Sequence, residues 1–93
     1  MIRSFADDAT REIWDGVNSR EARRLPRQLW PVIRRKLDQL DVVTQLDDLR
    51  APPGNRLHAL TGDLAGHHAI RVNDQYRIVF RFEGNDAHDV ALH

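Results

Sequence analysis

The sequence contains no cysteine. Disulfides, thiol catalysis and cysteine-ligated metals are excluded together, and the composition suits a reducing compartment, so a cytoplasmic protein is expected. No apolar run approaches the ~20 residues of a membrane-spanning helix. Met1-Ile2 leads straight into charge, so neither an anchor nor a signal peptide is expected. No glycine-rich loop could cradle a phosphate, and no nucleophile elbow is present. Lysine is almost missing too, because thirteen of the fourteen basic residues are arginine. Genomic base composition can produce that ratio. Its physical consequence is the same in any case: arginine makes the planar, two-pronged contacts that phosphate favours.

What is present fits one domain over residues 1–93, with 41% apolar residues supporting a small core of modest stability. The net charge is zero but unevenly spread. Seven basic residues and one acid, Glu21, lie between Arg20 and Lys36. The acids gather elsewhere, at Asp7, Asp8, Glu12 and Asp15 and again at Asp38, Asp41, Asp47 and Asp48. A neutral total can therefore conceal a basic face suited to phosphates.

The chain is organised around Arg56–Phe82, which reads as three strands and two turns. Arg56–Leu60 alternates in polarity, Thr61–Gly66 holds turn formers, and His68–Val72 is a second run. Asn73-Asp74 is a tight turn of the kind that tolerates unusual backbone angles. Tyr76–Phe82 is the clearest strand. Tyr76, Ile78, Phe80 and Phe82 share one face, and Arg77, Val79 and Arg81 share the other. The second face is not wholly committed to a core, and Arg71 on the neighbouring strand can join it.

Met1–Phe5 is a short strand candidate. Asp7 to about Gly16 is expected to be a helix, with acids at its start and Phe5, Ala9, Ile13, Trp14 and Val17 at helical spacing. Leu25-Pro26 opens a second helix with a stripe of Leu29, Val32, Ile33, Leu37 and Leu40. Pro31 requires that this helix either start nearer Leu29 or bend. Arg34, Arg35 and Lys36 fall mainly on its polar side, as phosphate contacts or as an ordinary solvated face. Ala51-Pro-Pro-Gly-Asn55 is a rigid loop, Glu83–Asp86 a hairpin turn and Ala87–Leu92 a last strand. This order predicts an α+β fold, with an N-terminal strand and two helices packed on a mainly antiparallel twisted sheet.

The residues IRSFAD…T…IW.G, KLDQLD, LDDLRAPPGNRLHAL.GD..G and AIRVNDQYRIVFRF also resemble the HigB-type toxins of the RelE/ParE superfamily, in order and spacing, over nearly the whole chain. The resemblance implies a RelE/ParE-like fold and ribosome-dependent cleavage of mRNA without metal or other cofactor. It also implies neutralisation by a HigA-like helix-turn-helix antitoxin. Operator DNA would then be met only indirectly, through that antitoxin, since the chain has no recognition-helix motif of its own.

Such cleavage needs a base for the ribose 2′-OH, cations for the extra negative charge, and an acid for the leaving 5′-oxygen. Arg77, directly after Tyr76, matches the arginine of the family's strand motif. Arg71 lies beside it in the expected hairpin, and Arg81 is a further candidate for RNA contact. Ion pairing to Asp74, Glu83 or Asp86 is the alternative for these arginines. His58 falls where the resemblance places an acid–base or orienting group, although a partly buried strand histidine would look the same. Gln75 can hydrogen-bond a phosphate or base but cannot act as a base. Tyr76 is expected to fill the core or stack.

Two positions depart from the family's pattern. Thr61 stands where some relatives carry lysine, and Leu92-His93 stands where the family commonly ends in Asp-Tyr-His. A ParE-like topoisomerase-binding toxin and a catalytically impaired antitoxin-binding relative are therefore alternatives. No metal site is expected, because the neighbours His67 and His68 point to opposite sides of a strand and no companion has ligand spacing.

Overall fold

Asp7 starts the first helix by capping it. In the computed structural model, which describes residues 1–93, its side chain accepts the Thr10 N–H at 2.8 Å. Helix α1 runs Asp8–Asp15 and ends at Gly16, whose φ of +79° is left-handed and which returns its N–H to Glu12 and Ile13. Ile13 is fully buried and Trp14 partly so. Val17, expected in the same stripe, lies beyond the glycine turn and is 47% exposed. Thr10 is the unexpected inward residue. It is fully buried, and its hydroxyl accepts the Leu92 N–H at 3.1 Å.

Helix α2 runs Trp30–Val42. Pro31 sits in its first turn, where no hydrogen bond is lost, so the helix starts late rather than bending. Pro26 instead precedes a short 3-10 turn at Arg27–Leu29. Ile33, Leu37 and Leu40 are fully buried. With Ile13 they pack against Ile70, Ile78, Phe80, Ala87 and Val90 of the sheet.

The sheet has four antiparallel strands in chain order: β1 (His58–Ala59), β2 (His68–Arg71), β3 (Arg77–Glu83) and β4 (Asp86–Leu92). Gly84 and Asn85 join β3 to β4 with φ of +57° and +67°, the left-handed pair that a two-residue hairpin requires. The loop before β3 needs no such angles. The Asn73 side chain accepts the N–H groups of Gln75 and Tyr76 at 2.9 and 2.8 Å.

Two expected strands are shorter than their sequence pattern. β1 has two residues instead of five, because Arg56 turns left-handed at φ +46° and breaks the extended run. Residues 1–5 form no full strand. They make isolated parallel bridges to β4, Ile2 to Ala87 and Phe5 to Val90. No helix is long and apolar enough to cross a membrane.

Candidate functional site

The sheet register brings the site together. Arg71 lies directly opposite Arg77, and Ala69 opposite Val79, which in turn faces Ala91. His93 continues β4 by exchanging two backbone hydrogen bonds with Arg77, at 2.9 and 2.8 Å. Side chains two apart on a strand share a face. Arg71, Arg77 and His93 therefore form one cross-strand row, beside the buried row of Ala69, Val79 and Ala91. His58 pairs with Ala69 and joins this face from β1. The helices cover the other face, where Ile70, Ile78 and Phe80 point.

These side chains line an open cleft of about 450 Å³, walled by Arg56, His58, Arg71, Asn73, Asp74, Gln75, Tyr76, Arg77 and His93. Like charges set directly opposite on a sheet are unfavourable. The facing Arg71 and Arg77 are therefore better suited to an anion between them than to the empty protein. Asp74 is the cleft's one acidic side chain. It pairs with Arg71 from an almost fully exposed position. Arg56 and Arg77 make no ion pair. His58 Nδ1 lies 2.8 Å from the Arg56 carbonyl. A carbonyl only accepts, so this contact requires the proton on Nδ1, and in the neutral ring Nε2 then holds the free lone pair.

Of the residues singled out in the sequence, His58, Arg71, Gln75 and Arg77 meet in this cleft. Four others lie outside it. Arg81 shares the face of Arg77 but stands about 13 Å further along the strand. There it bonds Asp89 at 2.8 Å and Glu83 at 2.5 Å. Asp89 occupies an irregularity in the β3–β4 pairing with φ +53°. Its N–H donates to the Ser4 hydroxyl at 2.9 Å. The Arg81 hydrogen bond holds the Asp89 carboxyl below its ordinary value, with Ser4 assisting, and Asp89 in turn raises Arg81. Arg34 donates to the Ile13 carbonyl at 3.2 Å, near the end of α1. Lys36 turns inward to Asn55, and only Arg35 of the three is exposed. Arg34 and Lys36 are thus partly buried and bonded within the protein, and Arg35 is the exposed member of the three.

Tyr76 lines the cleft instead of filling the core. Arg56 and His93 join the cleft without a sequence signal that marks them as site residues. Arg56 lacks strand periodicity because its backbone is left-handed, and His93 is placed only by its pairing with Arg77. No three histidines or acids converge as metal ligands. The Nδ1 atoms of His67 and His68 are buried without partners, but His68 stacks on Phe80, away from the cleft face.

The family model of RelE-like toxins of the HigB type II toxin–antitoxin system matches residues 3–93. The chain belongs to the HigB-like toxin family. Toxin HigB-1 of Vibrio cholerae is 37% identical over 82 residues, covering 88% of this chain and 84% of that protein. An uncharacterised protein of Haemophilus influenzae is 36% identical over 69 residues, 74% of this chain and 68% of its own. Solved structures share the fold at low identity. A chain of the Staphylococcus aureus YoeB–YefM toxin–antitoxin complex superposes with a TM-score of 0.54 at 14% identity, covering 98% of this chain and 92% of that one. The Agrobacterium tumefaciens YoeB/ParE toxin gives 0.50 at 15% identity, with 99% of each chain covered. In this HigB-like toxin the cleft gathers two facing arginines and two histidines on one sheet face.

Proposed function

We propose that this type II toxin is a ribosome-dependent mRNA endoribonuclease that works by metal-independent acid–base catalysis. The observation that carries the reading is the facing pair Arg71 and Arg77, flanked on the same sheet face by His58 and His93. An RNA phosphate seated over the two guanidiniums would gain bidentate, charge-assisted hydrogen bonds. His58 Nε2, freed as an acceptor by the Nδ1 contact, takes the proton of the 2′-OH. The 2′-oxygen attacks the adjacent phosphorus, and the extra negative charge of the five-coordinate phosphate is met by Arg71 and Arg77. The bond to the 5′-oxygen breaks, and a protonated imidazole on the opposite flank, His93, supplies its proton. The products are a 2′,3′-cyclic phosphate and a 5′-hydroxyl. Gln75 and Tyr76 at the rim hold the flanking nucleotide by hydrogen bond and stacking.

We also propose a protein antitoxin, HigA-like and of the helix-turn-helix class, as the partner that restrains the chain. The S. aureus relatives of this fold are toxin–antitoxin complexes, which supports such a partner. Operator DNA is then reached through the antitoxin.

The test is cleavage of a short message on programmed ribosomes, with the native chain beside Arg77→Ala. Cleavage by the native chain with a loss of about a hundredfold or more in the variant supports the nuclease. No cleavage by a folded native chain overturns it and moves weight to topoisomerase binding or to antitoxin binding alone.

A further inference from the structure

Asn55 stands outside the cleft, at the junction between α2 and the loop that carries Arg56 and His58. It is fully buried. Its Nδ2 faces Gln39 Oε1 at 3.1 Å and the carbonyls of Leu49 and Ala51 at 3.0 and 3.2 Å. Its Oδ1 accepts from Lys36 Nζ, and its backbone N–H donates to Pro52 at 2.9 Å. Lys36 and Gln39 are three residues apart on α2, so they reach the loop from one helix face. The next residue is Arg56, whose left-handed backbone persists only where the surroundings over-determine it. The Arg56 carbonyl receives the His58 imidazole. A continuous path of bonds thus runs from α2 through Asn55 to the two cleft residues that precede β2.

We infer that Lys36 is a positioning residue for the cleft: anchored on α2, it holds Asn55 and so fixes the backbone that presents Arg56 and His58. Lys36 is the only donor to the Asn55 side-chain oxygen. Without it a buried amide oxygen is left unpaired, and the loop gains a reason to rearrange. The ammonium is half-buried. Burial lowers its proton affinity below the ordinary lysine value, and the charges of Arg35 and then Arg71 lower it further. Its charge is thus felt beside β2, although it does not line the cleft. A Lys36 that merely contacted RNA would sit exposed, as Arg35 does.

The kinetic half of the test rests on the nuclease reading, and the spectroscopic half does not. Nitrogen-15 spectra of the His58 ring would be recorded above pH ~8, where a typical imidazole is neutral, for the native chain, Lys36→Met and Lys36→Arg. The native ring is expected as one tautomer with its proton on Nδ1. In Lys36→Met the Nε2-protonated form appears, and in mRNA cleavage kcat falls about tenfold or more while KM stays within about threefold. Lys36→Arg, which keeps a charged donor, restores both. An unchanged single tautomer in folded Lys36→Met overturns the inference, whatever cleavage does. If Lys36→Met does not fold, Lys36→Ala, which keeps helix propensity and removes the donor, decides by the same signal: mixed tautomers support the inference and a native spectrum overturns it. If the native chain does not cleave, the nuclease reading fails while the ring spectra still decide the role of Lys36.

Discussion

Arg77 and Arg81 are the same residue type on the same face of the same strand, four positions apart, and they have opposite surroundings. Arg77 stands opposite Arg71, beside His93, with no carboxylate partner. Arg81 is held by Asp89 and Glu83 at the strand irregularity. The cleft end of the sheet thus keeps uncompensated positive charge, and the hairpin end spends its charge on internal pairing. Strand alternation assigns a face, but only neighbouring strands decide whether a guanidinium on that face is available to a ligand.

The largest expected effect comes from substituting the two arginines in parallel. Arg77→Ala should lower ribosome-dependent cleavage by about a hundredfold or more while the melting temperature holds or rises, since a like-charge contact is relieved. Arg81→Ala should keep cleavage within about twofold, because an arginine outside the reacting site supplies no transition-state charge, and should lower the melting temperature instead. Equal loss of cleavage in both would break the comparison.

Removing the carboxylate at the hairpin end sharpens it. Asp89→Asn keeps a residue that tolerates a left-handed backbone but loses the charge. Its melting temperature should fall, and the double variant with Arg81→Ala should fall by less than the sum of the two single changes, because they break one interaction. Additive losses would show that the pair is not coupled.

Asp74→Asn makes the cleft end more like Arg77 throughout by freeing Arg71. Binding of a 2′-O-methyl RNA oligonucleotide, followed by fluorescence anisotropy, should tighten by about two- to fivefold, the scale an exposed ion pair supports. The log–log salt slope should steepen by about 0.7. Weaker binding would mean that Asp74 orients Arg71 rather than competing for it.

The smallest effect is in pH dependence. Asp89 and Asp86 are both held below the ordinary carboxylate value of 3.8, Asp89 chiefly by Arg81 and Asp86 chiefly by Arg3. A depressed folded-state value means that the ionised form favours the fold. This stabilisation is present above 3.8 and is lost as pH falls through the lower folded-state values. Melting curves in acid should therefore drop less steeply for Arg81→Ala than for the native chain. Parallel curves would remove Asp89 from the account.

Much of this was legible locally. The caps of α1 and the Gly84-Asn85 turn follow from one or two residues whose backbone preferences are strong, whereas the start of α2 was open between Leu25-Pro26 and Leu29 until the fold placed it at Trp30. The shared face of Arg71 and Arg77 follows from period-two alternation in Ile70–Val72 and Tyr76–Phe82. Other features could not be read along the chain. Thr10 looks like a surface threonine until the end of β4 arrives at its hydroxyl. Lys36 reads as one more cation of a basic run until Asn55, nineteen residues later, returns to meet it. Arg56 sits in an apparent strand, and its left-handed turn depends on the packed loop around Asn55.

The sequence by itself determined the α+β order, the apolar faces, the family and the strand motif that carries Arg77, because each rests on short-range periodicity or on residues close in the chain. Tertiary structure decided which cations remain free. Availability of a charge depends on carboxylates and carbonyls brought from distant segments, as Asp89 is to Arg81, Ile13 to Arg34 and Asn55 to Lys36. It also placed His93 beside Arg77, because that contact exists only once β4 has paired with β3.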